Sequence, residues 1–271
     1  MSAAIHPSAF VSAKAEIGNN VTIGQCAVIE DNVIIGDDCR IAPFASVKQY
    51  TRMGKGNIVH SYAMIGGIPQ DLKFKGEESY LEIGDNNSIR EFSSLHRGTE
   101  GGGGVTRIGS NNLIMAYCHI AHDCKLGDHI VMSNGATLAG HVEMFDHSII
   151  GGLSAVHQFV RIGRFAFIGG MTGIAKDLPP YMMAVGARAG IHGPNVVGLR
   201  RLRLSGDTIK GIRSAFRCIW HSEMGRREAL DKIETEMGSV PEVMEIINFV
   251  RESPRGVLHA VRASEVKDEE I

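Results

Sequence analysis

The chain has 271 residues, and its 28 Lys and Arg nearly balance 30 Asp and Glu, giving a formal net charge of −2. This balance excludes a strongly basic surface and argues against nucleic acid as a partner. No run of apolar residues is long enough for a transmembrane helix. The first residues predict no secretion signal, and the five cysteines form no CxxC pair, which favours a reducing, cytoplasmic location.

An aliphatic residue recurs every six positions through the first two thirds of the chain. The series runs from Ile5 to Ile65, returns from Ile83 to Leu95, and resumes from Ile108 to Ile174, which makes twenty-six repeats. A helix would need a period near 3.6 and a single strand a period of two. Period six therefore predicts short strands joined by tight corners, with three strands closing each coil of a parallel β-helix.

Two insertions interrupt this repeat. The first is predicted as a loop over 67–82 and contains the charged segment PQDLKFKGEESY. The second is predicted over 99–107 and contains four consecutive glycines. Surface loops tolerate insertions, and they also carry function. We expect the charged loop to reach a functional site and the glycine loop to be flexible.

The repeat stops after the segment KDLPPY (176–181), and a different pattern follows. We expect 182–204 to be irregular and glycine-rich. Helical patterns then begin at Ser205, over 227–237, and at Pro241, a favoured first-turn residue. The sequence thus predicts a β-helix domain over 1–190 and an α-helical C-terminal region over 191–271, with frayed final residues.

Histidines cluster in the third block of repeats, around the segment HIAHDC (119–124). One coil contains 18 residues, so His122 should stack over Gly140 and lie beside His141. The next coil adds His157 and Gln158 nearby. We therefore expect one groove lined by four histidines: His119, His122, His141 and His157.

The histidine pattern leaves three interpretations open. His122 can act as a general base, with Asp123 fixing its tautomer and the Gly140 N–H binding an oxyanion. Adjacent side chains on a strand point oppositely, so Asp123 helps only if a corner turns it back. Alternatively, three histidines bind zinc, as in hexapeptide-repeat carbonic anhydrases. The third interpretation is a set of solvated histidines on a polar face.

Five segments together resemble the UDP-N-acetylglucosamine O-acyltransferases of lipid A biosynthesis, a hexapeptide-repeat family. They are GIPQDLKFKGE (67–77), LHRGTEGGGG (95–104), NLIMAYCHIAHDCKLGD (112–128), NGATLAGHVE (134–143) and IGGLSAVHQFVRIG (150–163). The resemblance extends over essentially the whole chain. It implies an all-β left-handed parallel β-helix followed by an α-helical C-terminal region, in a cytoplasmic homotrimer with active sites between subunits.

The resemblance also implies a reaction: transfer of a 3-hydroxyacyl chain from acyl carrier protein to the 3-hydroxyl of UDP-N-acetylglucosamine. His122 would be the base, Asp123 would orient it, and the Gly140 amide would bind the oxyanion. The donor's phosphopantetheine thioester is already activated, so no metal and no further cofactor is expected. The implied substrate contacts are Asp71, Lys73, His96, His119, His141, His157 and Gln158, with Asn195 and Arg201 from the adjacent subunit.

Further details follow from the same resemblance. Gly170 stands at the position that measures the acyl chain, and a glycine there goes with long chains of about fourteen carbons. Val197 and Leu202 depart from the acidic residue and the arginine expected near the nucleotide. Some family members prefer an acceptor with a 3-amino group instead of the hydroxyl, and the sequence does not distinguish the two acceptors. The segment RRLR (200–203), with Arg161 and Arg164, is a candidate docking patch for the acidic carrier protein, alongside the interpretation of ordinary solvated arginines.

Overall fold

The computed structural model describes residues 2–261, and its repeats form a three-faced parallel β-helix. Face A contains β1 (Ala4–Ile5), β4 (Thr22–Ile23), β7 (Arg40–Ile41), β10 (Ile58–Val59), β13 (Ser88–Ile89), β16 (Leu113–Ile114), β19 (Val131–Met132), β22 (Ile149–Ile150) and β25 (Phe167–Ile168). Face B contains β2 (Phe10–Val11), β5 (Val28–Ile29), β8 (Ser46–Val47), β11 (Met64–Gly67), β14 (Ser94–His96), β17 (His119–Ile120), β20 (Thr137–Leu138), β23 (Ala155–Val156) and β26 (Gly173–Ile174). Face C contains β3 (Glu16–Ile17), β6 (Ile34–Ile35), β9 (Thr51–Met53), β12 (Tyr80–Ile83), β15 (Val105–Ile108), β18 (Lys125–Leu126), β21 (Glu143–Met144) and β24 (Arg161–Ile162).

The twenty-six predicted repeats correspond one to one to strands β1 to β26. The aliphatic residue of each repeat points inward and stacks on its equivalent in the next coil. Ile120, for example, pairs with Leu95 on one side and Leu138 on the other, and all three are fully buried. Burying these columns removes apolar area from water, which is the main stabilisation of so thin a core.

The corners between faces depend on residues in the left-handed backbone region. We name these corners the A–B, B–C and C–A edges after the faces that they join. Many of these left-handed residues are not glycine; Asp123 and His141, with φ of 61° and 60°, are two on the B–C edge. This conformation is unfavourable for ordinary residues, and stacking of successive coils holds them in it.

Both insertions leave the prism at the B–C edge, in successive coils. The first occupies 68–79, between β11 and β12, and the second occupies 97–104, between β14 and β15. The second contains a short 3-10 helix, Glu100–Gly102, with Thr99 as its N-cap. The two loops are therefore next to each other, two coils and one coil before the segment that carries His122.

The C-terminal region begins with a hairpin that continues face A. Strand β27 (Met182–Val185) pairs in parallel with β25, and β28 (Gly190–Pro194) pairs antiparallel with β27. Four helices follow: α1 (Val196–Arg201), α2 (Gly206–His221), α3 (Arg226–Met237) and α4 (Pro241–Arg251).

Three helices lie where the sequence predicts them, but the irregular stretch expected over 182–204 is wrong, because it contains the hairpin and α1. The boundary predicted after residue 190 falls at the start of β28. The final segment, predicted to fray, lies outside the described residues. No helix between residues 2 and 261 is long and apolar enough to cross a membrane.

Candidate active site

His122 and Asp123 form the B–C corner that follows β17. Because Asp123 adopts a left-handed φ of 61°, the corner turns its carboxylate back toward His122. The Nδ1 atom of His122 lies 2.7 Å from Oδ2 of Asp123. Among the described residues, Nε2 of His122 has no hydrogen-bond partner, so this atom is available to a ligand.

Asp123 is only 3% exposed, and the second insertion holds its carboxylate. The Thr99 amide donates to Oδ1 at 2.8 Å, and the Thr99 hydroxyl donates to Oδ2 at 2.7 Å. The Asp123 amide in turn donates to the hydroxyl oxygen of Thr106 at 2.7 Å. A Cβ atom on Gly102 would lie 2.0 Å from Cγ of Asp123, so only glycine lets the loop close over the carboxylate. The glycine loop therefore positions Asp123, which differs from the flexible loop expected from the sequence.

Gly140 lies one coil from His122, directly against the imidazole. A Cβ atom at this position would lie 2.7 Å from Cε1 of His122, so a side chain would displace the ring. The neighbouring amide of His141 donates to the His122 carbonyl oxygen at 3.0 Å, which fixes this corner. Within residues 2–261 the Gly140 N–H has no hydrogen-bond acceptor, and it can donate to an oxyanion.

Further imidazole rings pack around this pair. The His141 ring meets the His122 ring edge to face, with centroids 5.3 Å apart, and stacks on Phe159 at 4.4 Å. His96 and His119 form a second edge-to-face pair at 4.8 Å. The Nδ1 atom of His119 lies 2.8 Å from the Ser94 hydroxyl.

Burial keeps several of these histidines uncharged near neutral pH. It lowers the pKa of His96 to about 4, and the nearby His119 and His122 rings act in the same direction. Burial also lowers the pKa of His119 and, against the opposing charge of Asp123, the pKa of His141. Neutral rings can both donate and accept hydrogen bonds, which suits recognition of sugar hydroxyls.

The other predicted contacts of the first loop and the next coil lie along the same edge. Asp71 is half-buried, and its carboxylate accepts the Lys73 amide at 2.9 Å, while the Lys73 side chain is exposed. His157 and Gln158 form the edge one coil beyond His141, and both are exposed. Asp123, His141 and Phe159 line a groove of about 480 Å³ there.

Three predicted residues lie elsewhere in the chain. Asn195 caps α1 by accepting the Gly198 amide at 3.1 Å, and it donates to the Phe165 carbonyl oxygen on the C–A edge at 3.2 Å. Arg201 is exposed at the end of α1. Gly170 is exposed on the A–B edge. One chain therefore spreads His122, Asn195 and Gly170 over three different edges.

In the candidate docking patch for the carrier protein, some arginines are exposed and others contact the helical region. Arg164 forms hydrogen bonds to Glu245, the nearest at 2.8 Å, and lies against Tyr181. Arg161 lies over the Phe249 ring at 4.6 Å and is 3.6 Å from Glu143. Both therefore anchor the helical region to the prism, and the exposed arginines of the segment 200–203 remain as candidates.

His122, Asp123 and His141 also offer ligand atoms within 4.8 Å of one another, a spacing compatible with a metal ion. The Asp123 carboxylate already accepts two hydrogen bonds from Thr99 and contacts His122, so much of its coordinating capacity is used. Cys124 is fully buried, and its thiol donates to the Ala139 carbonyl oxygen at 3.2 Å. Its thiol therefore points away from this cluster.

Two family models match the chain. The model described as UDP-N-acetylglucosamine O-acyltransferase, domain 2, matches residues 177–258. The model described as bacterial transferase hexapeptide (six repeats) matches residues 14–49 and 106–140. The two models thus cover the helical region and parts of the prism.

Individual proteins match over nearly the full length. The acyl-[acyl-carrier-protein]–UDP-N-acetylglucosamine O-acyltransferase of Anaeromyxobacter dehalogenans is 44% identical over 94% of this chain and 99% of its own. The solved structure of LpxA, a UDP-N-acetylglucosamine acyltransferase from Bacteroides fragilis, matches with a TM-score of 0.92 and 41% identity over 94% of this chain and 99% of that chain. The UDP-N-acetylglucosamine acyltransferase from Campylobacter jejuni matches with a TM-score of 0.90 and 39% identity, over 95% of this chain and 100% of that chain.

These matches confirm the predicted fold, a left-handed parallel β-helix followed by an α-helical C-terminal region. They give no support to the alternative of a zinc-dependent carbonic anhydrase-like enzyme on the same fold. Sequence reasoning missed Thr99, Gly102 and Thr106, which hold Asp123. The sequence does indicate that the second insertion lies near His122, because this insertion interrupts the repeat one coil before HIAHDC and at the same corner.

Proposed function

Because this chain belongs to the UDP-N-acetylglucosamine O-acyltransferase family, we propose that it transfers a 3-hydroxyacyl chain from acyl carrier protein to UDP-N-acetylglucosamine in lipid A biosynthesis. The observation that carries the chemistry is the buried Asp123 carboxylate, 2.7 Å from Nδ1 of His122. This contact fixes the tautomer in which Nε2 is the free base.

In the proposed mechanism, Nε2 of His122 takes the proton of the sugar 3-hydroxyl as its oxygen attacks the thioester carbonyl carbon. Asp123 stabilises the imidazolium that forms. The Gly140 N–H donates to the carbonyl oxygen as it becomes an oxyanion. The tetrahedral intermediate then expels the pantetheine thiolate, which recovers the proton from His122. Each step uses the chain's own groups and the donor's phosphopantetheine thioester, without a further cofactor.

The substrate contacts implied by the family extend this site along the B–C edge. Asp71 and Lys73 of the first loop, together with His96, would bind the acceptor from one side of His122. His119 and His141 would contact the sugar and the pantetheine from either side of the base. His157 and Gln158 continue the same edge, which makes one path for both substrates.

The three faces support the proposed homotrimer. Face C is charged and pairs its own side chains, for example Lys125 with Glu143 at 3.0 Å. Face A presents an outward column of apolar residues: Ile58, Leu113, Val131, Ile149 and Phe167. Around a threefold axis, face A of one subunit would meet face B of the next and leave face C in water. This arrangement would bring a neighbour's Asn195 and Arg201 to the edge that carries His122.

The acyl chain is proposed to follow the apolar interface past Gly170. A Cβ atom at Gly170 would have only the Gly152 carbonyl oxygen within 4 Å, at 3.5 Å, so the space beside it is open. An open path favours a long chain of about fourteen carbons. Val197 and Leu202 are both exposed in or next to α1, where they would alter contacts to the nucleotide but not to His122. The reaction is proposed to take place in the cytoplasm.

The test is mass spectrometry of the product formed from UDP-N-acetylglucosamine and a panel of 3-hydroxyacyl carrier proteins of different chain length. The expected product carries one 3-hydroxyacyl ester, with the longest donors preferred. A parallel reaction with the 3-amino acceptor separates ester from amide formation. Transfer from no donor to either acceptor would overturn the proposal, and a preference for short chains would overturn the part assigned to Gly170.

A further inference from the structure

A separate pocket lies on the B–C edge, on the N-terminal side of His122. It has a volume of about 340 Å³, and Lys48, Gly67 and Arg97 are among its lining residues. Arg97 lies two positions after the inward-pointing Leu95, and His122 lies two positions after the inward-pointing Ile120. Leu95 and Ile120 are paired on neighbouring strands. Arg97 thus belongs to the coil next to His122, and neighbouring coils are about 4.8 Å apart.

A buried cation, Arg97, lines this pocket. Its side chain is 7% exposed, and its Nε–H is buried without a hydrogen-bond partner. The guanidinium lies 5.3 Å from the Tyr50 ring centroid and 5.5 Å from that of Phe74. Among the described residues, no carboxylate forms an ion pair with it. Aromatic rings offset part of the desolvation of a buried charge, and an anion in contact offsets more.

The pocket holds one carboxylate, Glu30, against two cations, Lys48 and Arg97. The ammonium of Lys48 lies 2.8 Å from the Glu30 carboxylate, and this carboxylate also accepts the Gln49 amide at 3.1 Å. Burial would raise the pKa of Glu30, but the hydrogen bonds from Lys48 and the Gln49 amide, together with the charges of Lys48 and Arg97, lower it, so Glu30 is shared by the two cations. The group formed by Glu30, Lys48 and Arg97 has a net charge of plus one, in a pocket large enough for a small anion.

We propose that this pocket binds an oxyanion of the phosphate class, with the Arg97 guanidinium as its main donor. A planar guanidinium matches two oxygens of a phosphate, and Lys48 would add a second positive charge at the rim.

The bound anion would also stabilise the candidate active site. Arg97 is two residues from Thr99, which holds Asp123. The pocket wall at Gly67 touches the His96 ring, since a Cβ atom there would lie 2.9 Å from Cδ2. Filling the pocket should therefore order the segment that positions Asp123.

The test is isothermal titration of the full-length protein with inorganic pyrophosphate, without any acyl donor, so that it is independent of acyl transfer. The wild type should bind, Arg97→Gln should bind at least about tenfold more weakly, and Arg97→Lys should fall between them. Arg227→Gln, which removes an exposed arginine from α3, is the matched control and should bind like the wild type. Unchanged binding by a folded Arg97→Gln protein would overturn the proposal.

If Arg97→Gln fails to fold, Lys48→Met serves instead, and loss of pyrophosphate affinity in a folded Lys48→Met protein supports the site, whereas wild-type affinity overturns it. Competition between UDP and pyrophosphate identifies the source of the anion. If UDP displaces pyrophosphate, the natural anion is part of a nucleotide; if both bind together, it is a separate phosphate. Either result supports the site. The assembly state of Arg97→Gln is measured by sedimentation. If this variant dissociates into monomers but still binds pyrophosphate, the counter-ion of Arg97 is a carboxylate of a neighbouring subunit, and the proposal is overturned.

Discussion

Two edges of the prism carry stacked histidines on the same backbone geometry, but only one has the features of a catalytic site. On the C–A edge, His129 and His147 adopt φ of 57° and 60°, and their rings stack at 4.7 Å. On the B–C edge, His141 has the same φ of 60°, but it packs beside His122 and a buried carboxylate. Histidines at corners are thus a property of the repeat, and a supported carboxylate distinguishes one edge.

The support comes from the insertions. No residues are inserted into the C–A edge next to His129, which remains exposed. The B–C edge receives two loops, and the second places Thr99 and Gly102 on Asp123. Backbone outside the repeat therefore supports the carboxylate beside His122, which would fix the tautomer of the proposed base.

The largest expected effect separates these two edges directly. His122→Ala should lower kcat/KM for acyl transfer by about 10³-fold or more, because it removes the base. His129→Ala is the matched control from the C–A edge, at an exposed histidine, and should stay within about threefold of the wild type. Initial rates with 3-hydroxyacyl carrier protein give both values, and circular dichroism checks the fold. Equal losses in the two variants would contradict the distinction between the edges.

A smaller effect on the rate is expected at Gly102 of the second insertion, with the adjacent Gly101 as its control. Gly102→Ala would place Cβ 2.0 Å from Cγ of Asp123, so the carboxylate or the loop must move. We expect kcat to fall by about tenfold or more, with the substrate KM less affected. Gly101→Ala has no heavy atom within 4 Å of its added carbon and should leave the rate unchanged. If both variants keep full activity, the loop does not position Asp123.

An effect outside catalysis concerns stability and pH. Burial holds the pKa of His96 at about 4, below the ordinary value of 6.5. Between these values the unfolded chain binds a proton that the folded chain does not, so the free energy of unfolding should rise as pH rises from about 4 to 6.5. The contribution is at most about 3 kcal/mol.

His96→Phe should reduce this pH dependence, and it can be measured by urea unfolding at several pH values. His129→Phe, which changes an exposed histidine of the C–A edge, should follow the wild-type curve. A His96→Phe protein with the full wild-type slope would show that His96 is not the source.

Sequence and structure agree best where the period is strict. The six-residue repeat predicts every strand from β1 to β26, because each coil needs one inward aliphatic residue per face and a corner between faces. The helices after Ser205 follow from their apolar spacing in the same way. The hairpin of β27 and β28 was missed because its residues belong to neither period, and tertiary pairing with β25 decides its structure.

The candidate site is predictable only in part. Stacking by 18 residues places Gly140 beside His122, since both lie on the regular prism. The turn of Asp123 toward His122 depends on its corner conformation, which the period does not specify. The contacts of Thr99 depend on the path of an insertion outside the repeat. Asn195 lies on another edge, so its proposed contribution would require a second subunit of the proposed homotrimer.

The most direct test of the account is a double-mutant cycle on His122 and Asp123, measured as kcat/KM for acyl transfer by His122→Ala, Asp123→Asn and the double variant. If Asp123 acts through His122, Asp123→Asn should lower the rate of the wild type by about tenfold or more and change the His122→Ala rate by about threefold at most. Equal losses in both backgrounds would contradict the account, because the two residues would then act independently.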